Sequence, residues 1–554
     1  MAVESLHIVF IKPSKYDDDG YVICFGWGVL PSNTLHVLNG LTQDIKERKV
    51  LGPIDITTSA YDETVQFVPV EDIIAESKKT DTMTLICLAG VQTNQFPRAM
   101  DLAQQFRSAG LPVFVGGFHT SGTINMLSDQ EPEIQDMVKR GITVISGEAE
   151  GNWEHILQAA LDKKLEPIYS FATDLKNLPD ISTSPFPMIH PDIMKHYVLS
   201  TMGTIDTSRG CPFDCSFCTI INVQGRTMRA RSPEHFKRFI RDNYLNHGIN
   251  QYFITDDNFK RNPQWREILD SLCDLRSREG ISIQFVAQVD MAKSAGDFEK
   301  RMAEAGCTQV FIGLESVNPE NLKAESKVQN KVEQFKEIIN KWHQHNILVH
   351  AGYIIGLPFD TKDQVNRDVQ YLSDVLELDT VSFFMLTPLP GSHDHLQMKK
   401  KDVWMDPDFN NRDSFHATVT HPLMTSQDWT ASYHDAWRVF YSKENIARRL
   451  ARVRHNPVVY KRQLWMSIWY KNASLIEHQH PMIAGFLRLK DRTTRRPGFP
   501  INSPLIHFAK RSRDILTLSI RWIQFARELH AIWKATKPDG EKKGFLRYFL
   551  SLTS

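Results

Sequence analysis

Cys211, Cys215 and Cys218 fall within eight residues, in the run Thr207-Ser-Arg-Gly-Cys-Pro-Phe-Asp-Cys-Ser-Phe-Cys. The spacing C-x-x-x-C-x-x-C offers three thiolates from one short loop. A structural zinc site takes four protein ligands, commonly in two pairs, and each iron of a cubane iron–sulfur cluster ordinarily takes one cysteine. Three thiolates with no fourth nearby therefore point to a 4Fe-4S cluster with one iron left open to bind and activate a small molecule. Packing thiols would not crowd together around Pro212 and Asp214. A disulfide with a spare thiol is equally out of place, because seven cysteines, an odd number, argue for a reducing compartment.

The loop resembles the signature of the radical S-adenosylmethionine (SAM) superfamily, down to the aromatic Phe217 before the third cysteine. The elements that must position it follow a βα alternation over 201–395. Strand ends are expected at Thr204–Thr207, Tyr252–Thr255, Gln284–Gln288, Val310–Gly313, Val349–Ile355 and Val381–Leu386. Polar or turn-forming residues stand at those ends: Asp256-Asp257-Asn258, Gln288, Glu315-Ser316, Gly356-Leu-Pro and Thr387-Pro-Leu-Pro-Gly. Alone, each reads as a cap or a turn, and Glu315 as an acid at a helix N-terminus. The resemblance implies a partial (β/α)6 TIM-type barrel with functional residues at the carboxyl ends of its strands. It further implies that Asp257, Gln288 and Glu315 face the cluster as polar contacts to SAM or substrate. Backbone near Phe217 and Gly356-Leu357 would then hold the adenine. Arg231 is either another such contact or a surface charge.

Residues 1–170 alternate short β-branched runs (6–11, 83–89, 112–116, 142–146) with helical stretches such as Arg98 to Ala109, closed by Gly110. That pattern is a doubly wound parallel sheet with ligands at strand carboxyl ends. Two such ends are glycine turns, Gly116-Gly117-Phe118-His119 and Gly147-Glu148-Ala149-Glu150. They resemble the Rossmann-like cobalamin-binding domain that precedes the barrel in one large subgroup of the superfamily. The resemblance implies cobalamin contacts at Gly116, Gly117, His119, Gly147 and Glu148. The D-x-H-x-x-G motif that supplies cobalt's histidine is absent, so His119 is read as a loop or nucleotide-tail contact.

A proline-rich stretch, 171–200, reads as an extended linker. Residues 396–554 read as a helical C-terminal domain. Residues 441–554 hold 23 Lys and Arg against 7 Asp and Glu, a surplus hidden by the chain's zero net charge. Ile515, Leu518, Trp522, Phe525, Leu529 and Ile532 share one helix face with basic neighbours. That face either packs on the barrel or lies on an anionic membrane. No nucleic-acid recognition module is present. The N-terminus reads as a strand, not a signal peptide, and no run suits a membrane span, so cytoplasm is the expectation, with the basic tail as a means of membrane association.

These readings combine into a radical SAM enzyme that uses a 4Fe-4S cluster to cleave SAM reductively. With cobalamin in the first domain it is a cobalamin-dependent methyltransferase acting on an unactivated carbon. The alternatives are an oxidative cyclase or other carbon-centred rearrangement without methylation, and a non-catalytic cluster or cobalamin sensor. Only Cys24 and Cys87 precede the loop and none follows Cys307, which leaves one cluster. The aromatic, basic tail favours a lipid, terpenoid or tetrapyrrole substrate. A flavodoxin- or ferredoxin-type donor would supply the electron.

Overall fold

The computed structural model describes residues 4–550, apart from 80, 81, 173, 200, 295 and 543. The chain forms two compact units. The first runs to Ile283 and is joined by Thr387–Asp413 and Phe486–Phe499; the second holds Gln284–Leu386, Ser414–Gly485 and the chain from Pro500.

The first unit opens with β1 (Ser5–Lys12), β2 (Cys24–Trp27), β3 (Asp55–Asp62), β4 (Met83–Leu88), β5 (Val113–Gly116), β6 (Thr143–Ser146) and β7 (Ile168–Ser170). All but β2 make a parallel sheet in the order β3-β1-β4-β5-β6-β7. In β1, Leu6, Ile8 and Phe10 enter one core with the helices Asn33–Arg48 and Trp153–Leu161. Its alternate residues Val9 and Ile11 enter another with the helix Phe96–Ser108. A strand apolar on both sides needs a helical layer on each, which is the doubly wound arrangement. β1, β4, β5 and β6 lie where their apolar runs predict them. β3 does not announce itself, because it is an edge strand of sequence DITTSAYD with alternate residues open to solvent. The proline-rich stretch after β7 buries Ile181, Phe186 and Ile193.

Six more parallel strands follow. In the first unit, β8 (Met202–Ile205) pairs with β11 (Gln251–Ile254). Between them β9 (Ser208–Arg209) and β10 (Arg229–Ala230) form a two-residue antiparallel ladder. In the second unit, β12 (Gln284–Val289), β13 (Cys307–Glu315), β14 (Leu348–Ile355) and β15 (Thr380–Met385) pair side by side in chain order. Helices fill the connections, as a βα alternation requires. Helical structure dominates after β15, with Ser426–Phe440, Lys443–Arg452, Pro457–Lys471 and the 33-residue Pro504–Thr536. No helix among the described residues is long and apolar enough to cross a membrane.

Candidate functional site

The cysteine loop leaves β9 and returns at β10, so the ladder between those strands closes its base. Cys215 is buried, and Cys211 and Cys218 are half-buried. Inside the loop the Cys211 N–H donates to Gly225 O (3.2 Å), and the Cys218 N–H to Cys215 O (3.1 Å). The loop's entry is fixed from β11. Asp256 accepts from Thr207 N (2.5 Å), Thr207 Oγ1 (2.6 Å) and Ser208 Oγ (2.6 Å). Asp257 accepts from Gly210 N at 3.2 Å, one residue before the first cysteine. Burial pushes the Asp256 carboxyl up to about 6 and Asp257 up to about 7, against the hydrogen bonds that favour their charge. Asp257 thus stands beside the loop, one hydrogen bond from the residue before Cys211.

Residues 206–231 also carry a buried ion network that sequence reasoning missed. Arg209 donates to Asp206 (3.0 Å), Glu148 (2.9 Å) and Glu150 (2.5 Å), and Arg229 donates to Glu148 (2.9 Å). Arg231 reaches Asp206 Oδ2 at 3.2 Å and three backbone carbonyls. Arg231 is fully buried, which corrects its reading as a surface charge. Three guanidinium groups meet three carboxylates, the condition under which charges remain stable in an interior. Burial alone would raise Asp206, yet Arg231 and Arg209 hold it well below the ordinary carboxylate range.

A cavity with an empty volume of about 1130 Å³, its open mouth included, lies at the carboxyl ends of β4, β5 and β6. Gly90, Gly116, Gly117 and Gly147 form its rim, while Leu38, Phe114, Ile145 and Trp153 give it apolar walls between sheet and helix. Asp206, Ser208 and Arg209 add polar side chains to the lining. Gly117 has φ +150°, and a Cβ there would overlap the backbone of Val91. The Trp153 ring is held in place by its Nε1 hydrogen bond to Thr42 Oγ1 (2.9 Å).

Two residues expected to contact cobalamin have partners of their own within the protein. Glu148 borders the cavity, but its carboxylate is taken by Arg209 and Arg229 and acts as an anchor. His119 does not line the cavity. It is fully buried between Phe96 and Phe409, with ring centroids at 4.2 and 5.0 Å, and its Nδ1 lies 3.3 Å from Thr93 Oγ1. Burial first, then the nearby Arg412 and His395, lower its pKa to about 3.

In the second unit Gln288, Glu315 and Gly356 stand at or just past the carboxyl ends of β12, β13 and β14. Glu315 sits at a register shift with φ +65°, a conformation non-glycine residues adopt at a cost. Its carboxylate accepts from Lys327 Nζ at 2.8 Å, so it is not the helix-terminal acid of the plain reading. The N–H groups of Gly356 and Leu357 both go to Asp360 (2.8 and 3.0 Å), which removes them as donors to an adenine. Burial raises Asp360 to about 7.

The donor set fits a cubane. Cys211, Cys215 and Cys218 offer three thiolates from one short loop, and a cubane draws its thiolates one to each iron. The glycine-rimmed, apolar cavity fits a large planar cofactor with an aromatic tail.

Residues 205–372 match the family model described as the radical SAM superfamily. The chain is 25% identical over 362 residues to the bacteriochlorophyllide d C-12(1)-methyltransferase of Chlorobaculum tepidum, covering 64% of this chain and 74% of that one. It is 30% identical over 241 residues to the hopanoid C-2 methylase of Rhodopseudomonas palustris, covering 42% and 44%. Its fold resembles that of the cobalamin-dependent SAM radical enzyme OxsB solved with aqua-cobalamin and SAM, with TM-score 0.57, 15% identity and coverage of 100% of this chain and 84% of that one.

Proposed function

We propose, from this chain's membership of the radical SAM superfamily, that it is a cobalamin-dependent methyltransferase acting on a carbon centre of a small molecule. The observation that carries the reading is the cavity, whose polar lining includes Asp206, Ser208 and Arg209, the residues that lead into the first cysteine. These residues would place a second cofactor held in the cavity beside the start of the cluster loop. When bound, the cluster with SAM supplies a carbon-radical generator, and cobalamin supplies the methyl group.

The chain's own residues hold and orient. Cys211, Cys215 and Cys218 would hold the cluster, and Asp257 fixes their loop through Gly210 N. Gly116, Gly117, Gly147 and the apolar wall at Trp153 would hold cobalamin. The buried Arg209 network excludes water from the part of the cavity nearest the loop. The tetrapyrrole and hopanoid substrates in the relatives' names, with the aromatic and basic tail, favour a large apolar substrate. The electron would come from a flavodoxin- or ferredoxin-type donor.

Anaerobic reconstitution with iron, sulfide and hydroxocobalamin, then reduction with SAM and a candidate tetrapyrrole or polycyclic terpenoid, tests this. Formation of both 5′-deoxyadenosine and S-adenosylhomocysteine with a methylated product is expected. Turnover giving 5′-deoxyadenosine and a dehydrogenated product alone would replace methyl transfer by oxidative cyclisation.

A further inference from the structure

The helix Pro504–Thr536 has two apolar faces, and the structure spends only one. Phe525, Leu529 and Ile532, on the face legible in the sequence, are buried against Ile446, Leu450 and Tyr460, with Leu518 and Trp522 packed at the margin. That face belongs to the protein's own core and is closed to a membrane.

A second stripe runs along the opposite side of the first 20 or so residues. Leu505, Phe508, Leu516, Ile520 and Ile523 are spaced by three, eight, four and three positions, which keeps them on one side of a helix. Their exposures are 83%, 73%, 63%, 48% and 54%. Lone exposed hydrophobics are ordinary, but five on one side of a helix mark a contact surface. The solvent-facing charges on this helix are of one sign, from Lys510, Arg513, Arg521, Arg527 and Lys534. Its two acids, Asp514 and Glu528, are half-buried, and Glu528 is paired with Lys471.

We propose that residues 504–524 form an interfacial helix that seats the protein on an anionic lipid bilayer. An apolar crest flanked by exposed cations is the pattern of a helix lying at the headgroup boundary, and each cation near an anionic leaflet adds attraction. A second copy docked on the same stripe would bring like charges together. The proposal stands apart from the catalytic reading, since binding needs neither turnover nor substrate.

Flotation of the full-length protein with vesicles tests it. Recovery with phosphatidylcholine containing roughly one third phosphatidylglycerol should exceed recovery with phosphatidylcholine alone by about tenfold, and should fall as salt rises. The variant L505S/F508S/L516S should lose flotation while keeping its circular dichroism, since all three side chains face solvent. K510Q/R513Q should lose the preference for anionic vesicles. Equal recovery with both vesicle types, or unchanged flotation of the triple variant, would overturn the proposal. So would a concentration-dependent dimer, without flotation, that the triple variant abolishes; the stripe would then be an interface between copies.

Discussion

Arg209 is the residue on which two parts of the first unit depend, since its guanidinium serves Glu148, Glu150 and Asp206 together. Arg209→Ala leaves buried carboxylates without their cation, which costs about 3–5 kcal/mol; urea denaturation of the cofactor-free protein should show it, and hydroxocobalamin retention should fall with it. His119 gives a pH-dependent case. Its folded pKa, about 3, lies below the ordinary histidine value of 6.5 because the ring is buried. Between those values the unfolded chain binds more protons, so stability is full above pH 6.5 and declines as pH falls, by up to about 1.4 kcal/mol per pH unit for this group. His119→Phe, which suits the space between Phe96 and Phe409, should show a smaller drop in melting temperature from pH 7 to pH 5 than the parent. The cysteine triplet was legible in the sequence because three thiols crowded into one loop suit a cluster and little else. Arg209, Arg229 and Arg231 were not, since an arginine in a string looks the same whether it faces water or three buried carboxylates.

At the scale of elements, most strands were legible where both faces are apolar, as in β1 and β4, and illegible where one edge is wet, as in β3. The long C-terminal helix shows the limit of periodicity. Its repeat announced the helix and the packed face, yet the polar residues among Leu505, Phe508 and Leu516 masked the second stripe. The turn after β14 shows how tightly strand and helix can be fitted. Gly356 has φ +99°, and a Cβ there would overlap the ring of Trp429, whose Nε1 donates to Ile355 O at 2.8 Å. Gly356→Ala must displace that ring from the helix Ser426–Phe440 and break its hydrogen bond. A loss of about 3 kcal/mol or more is expected, with a shift in tryptophan emission as the reporter.

At the scale of the molecule, the cavity at the ends of β4–β6 should make stability depend on its occupant. Hydroxocobalamin at 100 times its Kd should stabilise the protein by about 2.7 kcal/mol, read as a rise in melting temperature. Gly116→Val, which fills the rim where a Cβ would only touch Ile145, should remove that rise and leave the unliganded melting temperature close to the parent's. The clamp on Arg209 carries a consequence for how such an enzyme is put together. It ties the turn that rims the cavity to a residue two places before Cys211. On the proposed function, a molecule that has received one cofactor would already be stiffened where the other must enter. Because coupling is reciprocal, whichever cofactor arrives first would tighten the hold on the second by the same factor. On the proposed two-cofactor function, maturation in a cell short of the vitamin or of iron would then be cooperative, and copies holding one cofactor alone would be scarcer than independent binding gives.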